Sequence, residues 1–148
     1  LADGRFLSWS RDNTLRLWSS EGEALAVLAG HTSFVAGVIA LADGRLLSWS
    51  RDNLESRSSD DTLRLWSSEG EALAVLAGHT DSVNEVIALA DGRLLSWSDD
   101  NTLRLWYPNA SEFIAYACRY VFRDFTVVER QAFNIEDDFA TCPQFQSQ

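Results

Sequence analysis

Residues 1–18 read LADGRFLSWSRDNTLRLW, and most of this stretch recurs twice further along the chain. It returns as LADGRLLSWSRDN at residues 41–53 and as LADGRLLSWSDDNTLRLW at residues 89–106. In addition, the segment TLRLWSSEGEALAVLAGHT of residues 14–32 is repeated without change at residues 62–80. Self-similarity at a period of about 40 residues is typical of β-propellers and of other repeat folds.

The copies divide the chain into repeat units of residues 1–40, 41–88 and 89–107, followed by a tail of residues 108–148. The middle unit is longer because it contains the polar insertion LESRSSDD at residues 54–61. We expect a lengthened surface loop there. A ligand-binding loop is the alternative, because loops often carry function.

The repeats contain short strand-forming segments separated by turn signals. In and around the middle unit these segments cover residues 35–41, 46–50, 62–66 and 72–76, with Asp-Gly and Glu-Gly turns between them. The strands are apolar on both faces, so each sheet must be packed between similar sheets. The prediction is an all-β fold: an incomplete β-propeller of about three four-stranded blades, with a short α-helical C-terminal tail.

Two further motifs give the repeats a family resemblance. A Gly-His pair occurs at residues 30–31 and 78–79, ahead of the first predicted strand of a blade. The strand TLRLW occurs three times and ends each time at a tryptophan: Trp18, Trp66 and Trp106. These features resemble the WD-repeat family, although the Asp expected after the Trp is replaced by Ser or Tyr. The resemblance covers residues 1–106 and implies a propeller that binds other proteins.

His, Ser and Asp recur together, so a hydrolase triad has to be considered. Such a triad needs an exposed serine and an oxyanion hole, and it usually occurs once per domain. Here the set is repeated with a Trp, and the G-x-S-x-G motif is absent from the sequence. The resemblance implies a structural network instead, in which the His bonds the Ser and the Asp, and the Ser meets the Trp indole. We expect no catalytic residue, no metal site and no cofactor.

The resemblance assigns the network residues by position. One set is His79, Ser96 or Ser98, Asp100 and Trp106. A second set is His31, Ser48 or Ser50, Asp60 or Asp52, and Trp66. Both aspartates remain open because the insertion duplicates the Ser-x-Asp turn. The first unit has Asp12 and Trp18, with Ser8 or Ser10, and no preceding Gly-His pair.

The strands of a blade are expected in the family order inner, second, third and outer. By this convention the first unit begins at a second strand, and the pattern stops at a third strand ending at Trp106. Closed propellers have about four to eight blades. We therefore expect the missing blades to come from the same longer chain or from self-association.

The tail of residues 108–148 differs from the repeats. Apolar residues at helical spacing within residues 113–121 predict one helix, and Thr126 with Glu129 predicts a capping box for a second. The run ACRYVFRDFT, with a later TCP, resembles tails that follow propellers in large bacterial proteins. Cys118 and Cys142 are expected to be buried thiols, with a disulfide as the alternative.

Charge and hydropathy limit the classes of partner. The net charge of −10 would repel a phosphate backbone, so we expect no nucleic acid. The apolar stretches are far shorter than a membrane span. We expect a cytoplasmic scaffold or sensor that binds other proteins. The alternatives are a regulatory region of a bacterial multidomain enzyme, with a caspase-like, kinase or NTPase module upstream, and a non-functional gene fragment.

Overall fold

The computed structural model describes residues 1–51 and 60–109, together with Ile114, Cys118, Thr126 and Val128. The chain divides into two units, Leu1–Trp106 and Tyr107–Gln148. Within the described residues, no helix is long and apolar enough to cross a membrane.

The first unit is built from short antiparallel strands in three sheets. In chain order the strands are β1 (Phe6–Trp9), β2 (Thr14–Trp18), β3 (Ala24–Ala29), β4 (Val35–Ala40), β5 (Leu46–Ser50), β6 (Leu63–Trp66), β7 (Ala72–Leu76), β8 (Val83–Ala88), β9 (Leu94–Ser98) and β10 (Leu103–Trp106). The first sheet has the order β1-β2-β3, the second β4-β5-β6-β7 and the third β8-β9-β10. The predicted all-β fold is confirmed, and the four predicted strands of the middle unit agree with β4 to β7 within one residue.

Sheet boundaries are offset from the boundaries of the sequence repeats. Strand β4 ends the repeat unit of residues 1–40 but begins the second sheet, and β8 likewise begins the third sheet. Among the described residues only the second sheet has four strands. Within residues 1–51 and 60–109, no strand occupies the position of β4 in the first sheet or the position of β7 in the third.

In the second and third sheets, the LADGR segments form the tight turns between the first and second strands. In the second sheet, the Leu41 N–H donates to the Arg45 carbonyl at 2.8 Å, and the Gly44 N–H donates to the Leu41 carbonyl at 3.0 Å. Gly44 has φ of 88°, a left-handed conformation that glycine adopts without strain. The carboxylate of Asp43 accepts from the Arg45 backbone N–H at 3.0 Å and closes the turn. Leu41, Asp43, Gly44 and Arg45 therefore each have a structural role in the turn.

The core lies between the sheets and consists of two apolar clusters. Between the first and second sheets the buried residues are Leu15, Leu17, Leu28, Val35, Leu46 and Trp66. Between the second and third sheets they are Leu47, Trp49, Leu63, Leu65, Val83, Val86 and Leu94. Successive residues of a strand point to opposite faces of its sheet, so the adjacent Leu46 and Leu47 belong to different clusters. The second sheet is thus buried on both faces, as the apolar pattern of its strands requires.

Only single residues of the tail are described. Ile114 and Val128 have helical backbone conformations, and the Cys118 N–H donates to the Ile114 carbonyl at 2.8 Å. The remainder of both predicted helices lies outside the described residues, so the helical tail stays a prediction. Cys118 is disulfide-bonded, so the expectation of a free thiol is wrong for this residue. Cys142 lies outside the described residues.

The core packing predicts a large difference between two leucines of the second sheet. Leu46 is fully buried between sheets, whereas Leu73 on β7 is half exposed. We expect Leu46→Ala to lower the free energy of unfolding by about 2–5 kcal/mol, because it removes apolar contacts and leaves a cavity. Leu73→Ala is the matched control and should cost less than about 1 kcal/mol. Urea unfolding followed by tryptophan fluorescence measures both, and equal costs would contradict the packing.

Candidate functional site

The third sheet brings four predicted residues into one hydrogen-bonded set. His79 precedes β8, Ser96 lies in β9, Asp100 lies in the following turn and Trp106 ends β10. The His79 ring contacts Asp100 through Nδ1 at 2.8 Å and Ser96 Oγ through Nε2 at 2.7 Å. The Trp106 indole N–H donates to the same Ser96 Oγ at 2.8 Å. One serine hydroxyl therefore joins the His to the Trp.

The second sheet repeats this set with the same roles. His31 Nδ1 lies 2.5 Å from Asp60 Oδ2, and His31 Nε2 lies 2.8 Å from Ser48 Oγ. The Trp66 indole N–H donates to Ser48 Oγ at 2.9 Å. The structure thus places Asp60 on the histidine, while Asp52 lies outside the described residues. The loop between β5 and β6, which contains the insertion, therefore ends by placing Asp60 on His31.

Donor and acceptor chemistry gives each set a direction. An indole N–H can only donate and a carboxylate can only accept. The Trp66 N–H therefore donates to Ser48, the Ser48 O–H donates to His31 Nε2, and His31 Nδ1–H donates to Asp60. This order fits a neutral imidazole with its proton on Nδ1. Every polar group of the set is then satisfied without an outside partner.

Each aspartate also accepts bonds from the surrounding turn. Asp100 accepts from the Thr80 backbone N–H at 3.1 Å, the Thr102 N–H at 2.8 Å and the Thr102 hydroxyl at 2.6 Å. The residue between Asp100 and Thr102 is Asn101, whose φ of 64° is one that Asn tolerates. These bonds hold the carboxylate against Nδ1 of His79 and join the turn between β9 and β10 to the loop before β8.

Hydrogen bonding keeps both carboxyl groups ionised. Burial alone raises the pKa of Asp60, but bonds from His31, Thr62 and the Thr32 backbone outweigh it and lower the pKa to about 2. The pKa of Asp100 is also lowered, because bonds from Thr102, His79 and Thr80 outweigh its desolvation. Both groups are therefore acceptors in the folded chain at neutral pH.

The sets are closed to a substrate. Both His side chains are 0% exposed, and the side chains of Asp60 and Asp100 are 3% and 5% exposed. Ser48 and Ser96 are fully buried as well. A serine nucleophile has to reach a substrate carbonyl beside an oxyanion hole. In the described residues the serine hydroxyls instead face an indole and an imidazole within the sheet.

The Gly-His pair has a steric basis. A Cβ atom placed on Gly78 would lie 2.9 Å from Nη1 of Arg104 and 3.2 Å from the Trp106 ring. Gly30 stands in the same relation to Arg64 and Trp66. The glycine leaves room for these side chains of the third strand. The following His meets the Trp edge-on, with ring centroids 6.0 Å apart and ring planes at 62° for His79 and Trp106. Neither role is visible from spacing alone.

The first sheet contains a partial set. The Trp18 indole N–H donates to Ser8 Oγ at 2.9 Å, which repeats the Trp–Ser bond of the other sheets. Asp12 accepts from the Thr14 hydroxyl at 2.7 Å and from its N–H at 3.0 Å. No described His contacts either residue. Asp12 and Trp18 therefore occupy their predicted positions but are joined through no imidazole in the described part of the chain.

The structure distinguishes residues that the sequence left open. Ser8, Ser48 and Ser96 bond the tryptophans, whereas Ser98 donates to the Asp81 carbonyl at 2.9 Å. The buried Ser50 hydroxyl has no hydrogen-bond partner among the described residues. The sequence prediction missed Thr62 and Thr102, whose hydroxyls donate hydrogen bonds to Asp60 and Asp100. The recurring Ser-x-Asp-x-Thr spacing was the signal that could have found them.

No group of three or more His, Cys, Asp or Glu side chains that could hold a metal ion occurs among the described residues. In both complete sets the carboxylate and both ring nitrogens are already engaged by protein groups. The arrangement is thus suited to joining strands rather than to holding a ligand.

Comparison with known proteins agrees with the geometry. Residues 70–107 match the family model of the WD domain, G-beta repeat. A stretch of 33 residues is 54% identical to the nuclear distribution protein PAC1 of Yarrowia lipolytica, covering 22% of this chain and 8% of that protein. The WD40 β-propeller domain of Doa1 has a TM-score of 0.61 and 29% identity, covering 72% of this chain and 34% of that chain. Together these matches support the assignment of the repeats to the WD-repeat β-propeller family.

A designed protein shows the same fold. The computationally designed Ika4 protein has a TM-score of 0.59 and 24% identity, over 72% of this chain and 62% of its own length. The chain spans less than two thirds of each of these proteins. The bacterial multidomain context of the tail, the cytoplasmic location and the identity of any partner remain predictions for this WD-repeat chain.

The WD-repeat network predicts a stability loss on removal of one imidazole. We expect His79→Ala to lower the free energy of unfolding by about 1–3 kcal/mol, because Ser96 and Asp100 lose a buried partner. Thr80→Ala is the matched control, since the exposed Thr80 joins the set through its backbone N–H. Urea unfolding of the three proteins measures the difference. A loss below a few tenths of a kcal/mol for His79→Ala would rule out a structural role.

The WD-repeat aspartates also predict a dependence on acid. The pKa of Asp60 falls from its usual 3.8 to about 2 on folding. The ionised carboxylate therefore stabilises the folded chain fully above the unfolded pKa of 3.8, and this stabilisation is lost as the pH falls through the folded pKa. The wild type should therefore lose about 2 kcal/mol more stability than Asp60→Asn between about pH 5 and pH 2. Asp43→Asn, at an exposed turn, is the control. Parallel pH profiles for wild type and Asp60→Asn would contradict the assignment.

Proposed function

We propose that this chain is a protein-interaction scaffold that binds through the loops at one end of its strands. WD40 propellers generally mediate protein–protein interactions and are typically non-enzymatic. The observation that carries the proposal here is the closure of both His–Ser–Asp–Trp sets, with His side chains 0% exposed. In these two described sets, the side chains that resemble a catalytic triad hold the strands together, and we therefore place the binding function in the loops.

The proposed binding surface is the end of the sheets that contains the Gly-His loops. We call it the His rim, and in the described residues it consists of residues 10–13, 31–34, 51, 60–62, 79–82 and 99–102. Backbone bonds join neighbouring segments of this rim: Val35 N–H to the Ser10 carbonyl at 3.3 Å, and Arg51 N–H to the Phe34 carbonyl at 3.1 Å. The repeats differ mainly along this rim, and differences between otherwise identical repeats are where partner specificity can reside.

The first half of the His rim contains two arginines and an aromatic ring. The Arg11 guanidinium lies over the Phe34 ring at 5.9 Å from its centroid, and the exposed Arg51 follows β5 beside Phe34. Neither arginine forms an ion pair with a described residue. On the opposite edge, by contrast, Arg5 and Arg45 are paired with Asp3 and Asp43, each at 2.6 Å. A guanidinium over an aromatic ring, with a second arginine on the adjoining turn, is suited to bind an anionic, partly apolar segment.

The second half of the His rim has the opposite charge. Asp99 stands where the first two sheets have Arg11 and Arg51, and Ser82 stands in the place of Phe34. Asn84 donates to the Asp99 carboxylate at 2.6 Å. The acidic half would repel a partner that is anionic along its whole length. It therefore favours the orientation in which the acidic part of the partner contacts the arginines. We propose that the patch of Arg11, Phe34 and Arg51 binds an acidic segment with an apolar side chain.

Selection from a displayed library of random peptides tests this proposal on the full chain. The wild type should select peptides rich in Asp and Glu with an apolar residue, and their binding should weaken as salt is added. The double variant Arg11→Glu with Arg51→Glu should bind the selected peptides at least about tenfold more weakly. The double variant Arg45→Glu with Arg93→Glu makes the same change in net charge on the opposite edge and should bind normally. Selection of uncharged peptides, or equal loss in both variants, would overturn the proposal.

A further inference from the structure

Asp-Gly pairs occur in all three LADGR segments, at residues 3–4, 43–44 and 91–92. Such a pair is prone to isomerisation, because glycine has no side chain that shields its backbone nitrogen. This nitrogen attacks Cγ of the aspartate: an N–Cγ bond forms, and the carboxyl oxygen leaves as water with the amide proton. Water then opens the succinimide ring at either carbonyl and yields aspartate or isoaspartate. Isoaspartate lengthens the main chain by one carbon atom, which disturbs a tight turn between paired strands.

The carboxylate of each pair is held by the arginine two residues later. Asp43 accepts from the Arg45 backbone N–H at 3.0 Å and from Arg45 Nε at 2.7 Å, and Arg45 Nη2 lies 2.6 Å from Asp43 Oδ2. Asp91 and Arg93 repeat these three contacts at 3.1, 2.8 and 2.6 Å. Each carboxyl group is therefore fixed by both the backbone and the side chain of one arginine.

The attacking nitrogen is engaged as well. The Gly44 N–H donates to the Leu41 carbonyl at 3.0 Å, and the Gly92 N–H donates to the Leu89 carbonyl at the same distance. Ring closure requires the nitrogen and Cγ to approach each other along a suitable direction. The closed turn holds these two groups by separate hydrogen bonds and so opposes that approach.

Burial does not shield these carboxyl groups. The side chains of Asp43 and Asp91 are each 51% exposed, so water reaches both. Hydrogen bonds from the arginine side chains lower the pKa of both aspartates. This makes the neutral carboxyl, from which oxygen leaves more readily than from the carboxylate, rarer at neutral pH. Protection of these aspartates therefore depends on the arginine contacts.

The chain contains a second type of turn with the same backbone pattern and no arginine. The Ser67 N–H donates to the Glu71 carbonyl at 2.8 Å, and the Gly70 N–H donates to the Ser67 carbonyl at 3.1 Å. In this turn Glu69 precedes the glycine, and a glutamate would have to close a six-membered ring, which forms more slowly. Residues 19–23 have the same sequence and the same bonds. In this sequence Asp precedes Gly only where Arg follows the glycine.

We propose that Arg45 and Arg93 protect the preceding Asp-Gly pairs from isomerisation, so that Asp43 and Asp91 become modification sites when their turns open. The guanidinium holds Cγ away from the glycine nitrogen while the turn is closed. Isoaspartate at residue 43 then marks chains in which the turn between β4 and β5 has opened, and isoaspartate at residue 91 does the same for β8 and β9. This inference is independent of acidic-peptide binding at the His rim.

Peptide mapping by mass spectrometry, with fragmentation that distinguishes isoaspartate from aspartate at each residue, tests this protection on the full chain. Peptides that contain Asp43 and Asp91 differ in mass, because residues 33–37 differ from residues 81–85. During prolonged incubation at neutral pH, both aspartates should isomerise at least about tenfold more slowly in the native chain than in denaturant. Arg45→Gln should accelerate isomerisation at Asp43 at least about threefold and leave Asp91 unchanged. The unchanged turn is an internal control, because global unfolding would accelerate both.

A second variant places an Asp-Gly pair in a turn without arginine. Glu69→Asp removes one methylene, and Glu71 stands where the LADGR turns have arginine. Isoaspartate should accumulate faster at residue 69 of this variant than at Asp43 of the same chain. Adding Glu71→Arg should slow it to the rate at Asp43. Equal rates at Asp43 in native and denatured chains, no effect of Arg45→Gln, or no effect of Glu71→Arg at residue 69 would each overturn the proposal.

Discussion

The structure depends on one constraint: its sheets are apolar on both faces, and every face needs another sheet to cover it. Leu46 and Leu47 show this at the scale of two residues, because they are adjacent in β5 and fully buried on opposite sides. A strand of this kind is not stable in a single sheet with one solvated face. Stacking of successive sheets covers the faces that lie between them.

The His–Ser–Asp–Trp sets solve a second problem that stacking creates. Loops have to return from the last strand of one sheet to the first strand of the next, and polar backbone and side-chain groups are buried on the way. In the third sheet, one imidazole joins the turn after β9 to the loop before β8, and one serine joins it to β10. A network in which every donor has an acceptor is favourable in such a site, whereas any single member left unpaired is costly. The resemblance to a hydrolase triad therefore reflects shared hydrogen-bond chemistry and not shared function.

Strand positions and the membership of the network could largely be predicted from the sequence, because both repeat. The choice between Ser48 and Ser50 could not, since residues two apart in a strand share a face and differ only in their distance from the Gly-His loop. The choice between Asp60 and Asp52 depends on how the insertion closes onto β6, which spacing does not reveal. The state of Cys118 was also mispredicted, because cysteine pairing is a long-range property that sequence alone does not determine.

Near-identity of the repeats has a consequence for recognition as well as for folding. Side chains that are the same in every repeat cannot give one loop a partner that the other loops lack. Recognition of other proteins has to rely on the parts that do not repeat, and in the described residues these lie on the His rim, where Arg11, Phe34 and Arg51 give way to Asp99 and Ser82.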